Sequence, residues 1–268
     1  MKLAVVGSGS RGNAVALRTH GATLLVDAGF GARTIVRRLG EVNWELDDVC
    51  GVIVTHEHGD HSRGVASVAK RFGCAVHASR GTLTALDISD SVESRALSAH
   101  VPVKIGGFDV VCCPTTHDAR EPLALLIAPS SGGPSVGIAY DFGRTTSALR
   151  YLFTKVSCLV IESNYDEVML RTGPYPPSVQ HRIAGSSGHL SNRGASAFAA
   201  DVCHDQLERV VLVHVSDKSN TPELAERAMR AALQPRGFKG EIHVASQDRV
   251  LGPLDLSGGN EQLELEAV

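Results

Sequence analysis

The 268-residue sequence has few aromatic residues, no long apolar segment and no CxxC pair. Aromatic residues make up 4% of the chain, which argues against extensive stacking of nucleic-acid bases on protein rings. No apolar run reaches the roughly 18 to 20 residues that a membrane span needs, and the apolar N-terminus is too short for a signal peptide. We therefore expect a cytoplasmic protein that does not bind a membrane.

The six cysteines are not arranged as a redox or metal-binding pair. Most lie inside apolar runs, such as the run that contains Cys112 and Cys113. Buried, reduced thiols are typical of cytoplasmic proteins, whereas disulfides are typical of exported ones. The cysteines thus predict free thiols and agree with a cytoplasmic location.

The net charge is small, but the carboxylates are unevenly distributed. The formal net charge is −3, while residues 251–268 carry four carboxylates and no lysine or arginine. The rest of the chain is nearly neutral, which neither favours nor excludes a nucleic-acid partner. We predict one domain over residues 1–250, followed by an acidic, flexible tail over residues 251–268.

Short β-branched runs alternate with helical patterns along the whole chain. The predicted strands span residues 3–6, 14–18, 23–27, 51–55, 75–78, 108–113, 123–128, 135–140, 159–162, 210–215 and 241–245. The predicted helices span residues 32–39, 63–72, 145–151, 178–184, 192–202 and 222–233. Two strand-rich halves with helices on the outside favour an α/β protein with a four-layer αββα sandwich over a doubly wound parallel sheet.

The chain has 12 histidines, and the densest group directly follows the predicted strand 51–55. His56, His58, Asp60 and His61 place four potential metal ligands within six residues. In an extended chain, residues two apart face the same side, so His56 and His58 can reach one metal ion. Asp60 and His61 then turn toward a second ion.

Three more potential ligands lie where predicted strands end. They are His117, Asp141 and His214. Each alone is more often a capping or surface residue, but loops at strand ends are where such folds assemble their sites. Together with the first motif they supply enough ligands for two divalent ions. Nitrogen and oxygen donors without thiolate favour Zn²⁺, with Mn²⁺ or iron as alternatives.

This ligand series resembles that of the metallo-β-lactamase superfamily of hydrolases. The resemblance implies a first ion held by His56, His58 and His117. It implies a second ion held by Asp60, His61 and His214, with Asp141 as the bridge. His58 stands where the oxygen-reducing branch has a carboxylate, and Asp141 stands where many true β-lactamases have a cysteine. Both differences favour hydrolysis by the branch with a bridging carboxylate.

The flanking motifs resemble those of the YycJ/WalJ-type nucleases within this superfamily. The matching segments are residues 7–13, 27–29, 162–166, 169–170, 173–176, 188–192, 214–216 and 220–225. The resemblance implies a single-domain nuclease related to RNase Z, with 5′→3′ DNA exonuclease activity linked to DNA repair. Arg11 in the glycine loop and residues 215–220 depart from the usual pattern, which bears on substrate preference and leaves the metal motif intact.

The same resemblance assigns roles in catalysis and substrate binding. Asp60 would orient or deprotonate the attacking water, and His189 would protonate the departing sugar oxygen. A glycine- and serine-rich loop offers backbone N–H groups to phosphate, and an arginine adds a bidentate contact. The residues predicted to contact substrate are Ser10, Arg11, Asn13, Asn164 and Ser191.

The predicted function is a binuclear phosphodiesterase that holds DNA or RNA through backbone contacts, without a protein partner. Possible cationic contacts are Arg11, Arg63, Lys70, Arg71, Arg144, Arg171, Arg182, Arg193 and Lys218. The alternative is a small-molecule metallohydrolase of the same fold, acting on a thioester, lactone or lactam. A third interpretation is a non-catalytic regulatory protein that binds a partner through the acidic tail.

Overall fold

Two seven-stranded sheets form the centre of the computed structural model, which describes residues 1–86, 88 and 92–257. The first sheet contains β1 (Lys2–Gly7), β2 (Ala14–Thr19), β3 (Ala22–Val26), β4 (Val49–Ile53), β5 (Val76–Ala78), β6 (Ser94–Ala96) and β14 (Leu251–Asp255). The second contains β7 (Val103–Ile105), β8 (Phe108–Pro114), β9 (Leu123–Pro129), β10 (Val136–Ala139), β11 (Cys158–Glu162), β12 (Arg209–Val213) and β13 (Glu241–Val244).

Helices pack on the outer face of each sheet, and other, mostly short helices lie in the connections between strands. The helices are α1 (Ala32–Gly40), α2 (Gly59–Ser62), α3 (Val65–Phe72), α4 (Arg80–Leu86), α5 (Ser147–Leu152), α6 (Glu167–Thr172), α7 (Pro177–Ala184), α8 (Asn192–Asp201) and α9 (Pro222–Leu233). The start of α9 is fixed by Thr221, whose hydroxyl accepts a hydrogen bond from the backbone N–H of Leu224. Within the described residues, no helix is both long enough and apolar enough to cross a membrane.

The two sheets have the same internal plan. In the first, β14, β1, β2 and β3 pair antiparallel, and β3 to β6 pair parallel. In the second, β7 to β10 pair antiparallel, and β10 to β13 pair parallel. Parallel strands end at the same edge of a sheet, so the loops after β3, β4, β10, β11 and β12 can meet.

The buried side chains form three apolar layers. The central layer lies between the sheets and joins Val5 of β1 to Phe108 of β8. An outer layer under α1 and α3 includes Ile35, and another under α8 and α9 includes Phe198. Successive residues of one strand enter different layers, as Val52 and Ile53 do in β4. These layers confirm the predicted αββα sandwich.

The C-terminal segment differs from the expectation. Strand β14 pairs with β1, with Asp255 opposite Lys2, and Leu256 is buried in the central layer. The predicted start of a flexible tail at residue 251 is therefore wrong, because the acidic composition hid a short strand whose leucines pack on the core. Residues 258–268 lie outside the described residues, so the rest of that prediction stays a prediction.

Candidate metal centre

The segment after β4 changes from extended to helical at Gly59. His56 is buried, and His58 occupies the N-cap position of α2 with φ −58° and ψ 144°. Asp60 and His61 lie within α2, where the N–H of His61 bonds to the carbonyl of His58. This change of conformation places the two histidines in the extended part and Asp60 with His61 in the helix, while the ring centroids of His56 and His61 remain 4.1 Å apart.

Three residues at strand ends have left-handed backbone conformations. Asp27 follows β3 with φ 60°, Asp141 follows β10 with φ 54°, and His214 follows β12 with φ 51°. Such values are uncommon outside glycine, although aspartate and histidine tolerate them better than β-branched residues. The change in φ ends each ladder and turns the side chain toward the space between the sheets, which is why β12 ends one residue before His214.

Three histidine rings donate hydrogen bonds to groups outside the cluster, so that each ring has its other nitrogen turned inward. The Nδ1–H of His56 donates to Thr55 Oγ1 at 3.1 Å, because that hydroxyl gives its own proton to Asp27. His117 donates from Nδ1 to the carbonyl of Ser187 at 3.1 Å. His58 donates from Nε2 to the carbonyl of Asp118 at 3.2 Å.

The inward nitrogens of these three rings are consequently unprotonated and close together. His58 Nδ1 and His117 Nε2 lie 3.2 Å apart. Among the described residues, nothing hydrogen-bonds to the buried Nε2 of His56, which lies 3.4 Å from Asp141 Oδ2. Lone pairs that face one another across a buried space are what a cation needs, and the donor set fits a divalent metal ion.

A second group of donors meets the first at Asp141. His61 Nε2 lies 2.9 Å from Asp141 Oδ2 and 3.3 Å from Asp60 Oδ2. His214 contacts Asp141 through Nδ1, and its Nε2 lies 3.8 Å from Asp60 Oδ2. Asp141 therefore contacts donors on both sides, the place that the sequence analysis gave to a bridging ligand.

Three overlapping groups of described residues can hold a metal ion. The first contains His56, His58, His117 and Asp141, and the second contains Asp60, His61 and Asp141. The third contains Asp141, Glu162, His189 and His214, and in each group the ligand atoms lie within 4.8 Å of one another. All seven predicted ligands are thus present in these groups, although His214 is grouped with His189 rather than with Asp60.

Asp27 orients groups from both sheets. Its Oδ2 accepts hydrogen bonds from His61 Nδ1 at 2.7 Å, Tyr140 Oη at 2.7 Å and Thr55 Oγ1 at 2.8 Å. Its Oδ1 accepts from the N–H of Thr55 at 2.7 Å. Because a carboxylate only accepts, His61 carries a proton on Nδ1, and Nε2 is the nitrogen that would bind a metal in exchange for its own proton.

The glycine- and serine-rich loop after β1 supports the second group of donors. Asn13 donates from Nδ2 to Asp60 Oδ2 at 3.1 Å, while its Oδ1 accepts from Ser8 Oγ and Gly9 N. Ser8 Oγ in turn accepts from the N–H of His214 at 2.8 Å. The loop therefore fixes two predicted ligands through Asn13 and Ser8.

Glu162 holds His189 at the edge of the cluster. The glutamate is fully buried, and its Oε1 accepts from the N–H groups of Phe142 and Leu190 at 2.7 and 3.2 Å. Its Oε2 accepts from His189 Nδ1 at 3.0 Å. The proton on Nδ1 is thus committed, and His189 keeps Nε2 for other partners.

Opposite charges inside the cluster set its pKa values. Burial alone would raise the pKa of Asp141, but His214 and His61 hold it well below its ordinary value. Burial would lower the pKa of His214, but Asp141 raises it to about 10. For His56, burial lowers the pKa to about 4, so that ring is neutral at pH 7 and offers a lone pair.

A cleft of about 280 Å³ opens over these groups. Besides predicted ligands, the described residues that line it are Ser10, Asp118, Arg182, Ile183, Gly188 and His189, and none of them is a phenylalanine, tyrosine or tryptophan. Arg182 forms no ion pair with any described residue. The cleft thus presents one free cation opposite a dense set of metal-binding donors.

Of the residues predicted to bind substrate, only Ser10 lines the cleft. The side chain of Arg11 is 64% exposed and pairs with Asp248 at 2.9 Å. The other three are buried and use their polar atoms within the protein. Asn13 holds Asp60, Asn164 donates to the carbonyl of His214, and Ser191 caps α8 by accepting from Gly194 N. Contact between these residues and substrate stays a prediction.

Sequence reasoning gave no role to two residues that the structure places at the centre of the site. Asp27 carries the signal of an aspartate that ends an apolar strand before Ala-Gly, the same signal that singled out Asp141. Tyr140 has no such signal, because its hydroxyl reaches Asp27 only through contact between the two sheets. Asp118 contacts His58 and His117, whereas Glu57 accepts from Arg120 N.

Comparisons with known proteins agree with this geometry. Residues 22–215 match the model of the beta-lactamase superfamily domain. The chain is 30% identical over 242 residues to exodeoxyribonuclease YycJ of Bacillus anthracis, covering 89% of this chain and 91% of the relative. It is 29% identical over 234 residues to exodeoxyribonuclease WalJ of Streptococcus pneumoniae serotype 2, covering 85% and 86%.

A solved structure is similar in fold to this chain. The metallo-beta-lactamase fold protein YhfI from Bacillus subtilis superposes with a TM-score of 0.70 and 18% identity, covering 94% of this chain and 99% of that one. Membership of one family therefore explains the sandwich fold, the clusters of metal-binding residues and the match over residues 22–215. The chain belongs to the metallo-β-lactamase branch of the beta-lactamase superfamily.

Proposed function

We propose that this chain is a binuclear metal-dependent phosphodiesterase that cleaves nucleic acid, specifically a 5′→3′ DNA exonuclease. The observation that carries the proposal is the set of inward, unprotonated nitrogens of His56, His58 and His117, which meets a second donor group at Asp141. The similarity to two exodeoxyribonucleases over most of the chain supports DNA as the substrate.

Two divalent ions, Zn²⁺ first, would lower the pKa of a shared water and stabilise negative charge on the phosphate oxygens. His56, His58 and His117 would hold one of them, and Asp60, His61 and His214 the other. Asp141 would bridge the two, since its carboxylate contacts both donor groups. Asn13 keeps the Asp60 carboxylate in place for orienting the attacking water.

His189 would give a proton to the departing sugar oxygen. Its Nδ1–H is held by Glu162, which leaves Nε2 as the nitrogen that can serve the cleft. Burial lowers the pKa of this ring, but the carboxylate of Glu162 raises it above the ordinary value. Glu162 thereby favours the imidazolium form, which a proton donor requires, more than water would.

Arg182 would bind the phosphate that enters the cleft. Its guanidinium group is not neutralised by any described carboxylate and can donate two parallel hydrogen bonds to phosphate oxygens. The absence of aromatic rings from the lining agrees with recognition through the backbone rather than through stacked bases. We extend the proposal to a cytoplasmic role in DNA repair on the resemblance to YycJ/WalJ-type nucleases.

The test is cleavage of 5′-labelled and 3′-labelled DNA by protein loaded with Zn²⁺ or Mn²⁺, with metal content measured by elemental analysis. We expect two ions per chain and mononucleotide release from the 5′ end. His189→Ala should reduce kcat by about 10²- to 10⁴-fold while the metal content stays the same. His181→Ala, a histidine of α7 that bonds its own helix, is the matched control and should cleave like the wild type.

Metal-loaded wild-type protein that leaves every DNA and RNA intact would rule the proposal out. Hydrolysis of a thioester, lactone or lactam under the same conditions would assign the chain to the alternative class.

A further inference from the structure

We propose that α1 and α3 form a docking surface for the phosphate backbone of the nucleic acid that enters the cleft. This α1/α3 face consists of Arg33, Arg63, Ser67, Lys70 and Arg71. The inference rests on the proposed function, because the strand bound here is the one that the metal centre would cleave. It adds to the proposed function a second surface, outside the cleft, that binds nucleic acid.

The face begins at the metal centre and leads away from it. Arg63 directly follows α2, which carries Asp60, and its guanidinium lies 3.4 Å from the carbonyl of Arg11 in the glycine loop. On α3, Ser67 and Arg71 lie about one helical turn apart on the same side, and Arg63 lies in the turn that joins α2 to α3. At 1.5 Å per residue, α3 extends over about 12 Å. That length matches about three to four nucleotides at 3.4 Å each.

A single side chain joins the two helices. Ser67 Oγ accepts from the N–H of Ala32 at 3.1 Å and donates to the carbonyl of Gly64 at 2.8 Å. Between the helices lies a cleft of about 380 Å³ that Arg33 and Arg71 both line. Because Ser67 already occupies the N–H of Ala32 at the start of α1, the attraction for phosphate comes from the two guanidinium groups.

The cations of this face are not neutralised. Within the described parts of the chain, Arg33, Arg63, Lys70 and Arg71 take part in no ion pair, and all four are exposed. Residues 28–40 and 61–86 contain no aspartate or glutamate, so α1 and α3 bring no carboxylate of their own. Two of the other cations named from the sequence are paired, Arg11 with Asp248 and Arg193 with Glu167.

The chemistry of the face favours nucleic acid over a protein or a membrane. The large exposed apolar residues of the described chain are Val101, Tyr151 and Val168, and none belongs to α1 or α3. A protein interface needs an apolar centre, and an amphipathic membrane contact needs apolar side chains to insert. Unpaired arginines with a serine between them are instead typical contacts for a phosphate backbone.

The test compares two double variants that change the net charge equally. Arg33→Glu with Arg71→Glu alters the face, while Arg236→Glu with Lys239→Glu alters exposed cations just before β13, at the other end of the strands. Binding of a fluorescent, cleavage-resistant phosphorothioate 30-mer to metal-loaded protein is followed by anisotropy from 50 to 300 mM salt. We expect the face variant to lose at least about tenfold in affinity at 100 mM salt and to have a smaller salt dependence. The control should stay within about twofold of the wild type.

Failure here is distinguishable from failure of the proposed function. If the wild type cleaves DNA and both double variants bind alike, the α1/α3 face is excluded and the nuclease assignment stands. Binding of anionic phospholipid vesicles instead of DNA would also exclude it. If the wild type binds DNA through the face but cleaves nothing, only the proposed function is overturned. Melting curves of the variants should match the wild type, because the changed side chains are exposed.

Discussion

At the scale of single residues, one buried carboxylate determines how the site is oriented. Asp27 accepts hydrogen bonds from Thr55 in one half of the molecule, Tyr140 in the other and His61 in the metal centre. Its negative charge also helps to keep the pKa of His61 well above the ordinary value, against the effect of burial. A substitution of Asp27 should therefore alter metal binding through His61, although Asp27 itself is not a predicted metal ligand.

Replacing Asp27 with asparagine should weaken metal binding at the site that includes His61. Asparagine tolerates the same positive φ, so the backbone can stay in place while the negative charge is lost. We expect metal affinity to fall by about 10- to 100-fold, which titration with Zn²⁺ and elemental analysis would measure. Tyr140→Phe removes one of the four donors and serves as the milder comparison; equal metal content in Asp27→Asn and the wild type would contradict this role.

A second prediction concerns His77, which lies apart from the metal centre. Its side chain is buried, and burial lowers its pKa to about 4, with Arg95 adding to the effect. The unfolded chain takes up this proton near pH 6.5 and the folded chain only near pH 4. Stability from the neutral ring is thus complete above pH 6.5 and is lost as the pH falls.

His77→Leu should remove this part of the pH dependence. Between pH 8 and pH 5, the free energy of unfolding of the wild type should fall by at most about 2 kcal/mol more than that of the variant. Urea unfolding at the two pH values measures both. Parallel pH profiles of the two proteins would show that His77 is not the group that titrates.

At the scale of elements, the last described strand closes the first sheet. The pairing of β14 with β1 covers a strand that would otherwise be an open edge, and the N-terminal amine of Met1 donates to the carbonyl of Leu256. Open edges pair with other chains. Residues 251–256 therefore have a structural role that the acidic composition of the segment concealed.

A chain that ends at Val250 should be less stable and prone to self-association, whereas a chain that ends at Ser257 should melt like the full-length protein. The first deletion removes β14 and buried Leu256, and the second keeps every contact described for them. Scanning calorimetry and light scattering would test the pair. An unaltered melting temperature in the shorter chain would mean that β14 contributes nothing to the fold.

Long elements were predictable from the sequence, and short ones were not. The predicted strand 108–113 and helix 222–233 agree with β8 and α9 to within one residue, because each has enough positions to show its period. Strand β6 has three residues, all exposed, at the edge of its sheet, so no apolar pattern marks it. Short helices such as α2 and α6 lack a full apolar face for the same reason.

The residues of the site also include some that the sequence predicted and some that it could not. The spacing of His56, His58, Asp60 and His61 predicted that they act together, since a local motif places them within six residues. The inward position of Asn13 could not be predicted, because its partner Asp60 is 47 residues away and is met only after the sheets fold. For such residues, the sequence shows a polar loop but not which side of it faces the protein.

At the scale of the whole molecule, the metal centre joins the two halves of the sandwich. His56, His58, Asp60 and His61 follow a strand of the first sheet, whereas His117, Asp141 and His214 follow strands of the second. A bound ion would cross-link segments that are distant in sequence. Metal occupancy should therefore contribute to the stability of the entire fold.

Chelation of the metal should lower the melting temperature by about 10 °C. A ligand present at a thousand times its Kd stabilises by about 4 kcal/mol, and a chain of this size gains about 2–4 °C per kcal/mol. Calorimetry with EDTA and then with excess Zn²⁺ should show the loss and its reversal. Asp141→Asn should show a smaller response to EDTA; a melting temperature that is indifferent to metal would separate the site from the stability of the fold.

The left-handed backbones of Asp27, Asp141 and His214 have a consequence for the evolution of such a chain. Each position holds a conformation that glycine or asparagine adopts with less strain, at a cost of about 1–3 kcal/mol per residue where it is forced. In a lineage released from the need for catalysis, drift toward glycine and asparagine should start at these three positions and leave a more stable protein with the same sandwich. Descendants of this fold that have lost catalysis would then be recognised by glycine or asparagine at the positions where active enzymes keep aspartate or histidine.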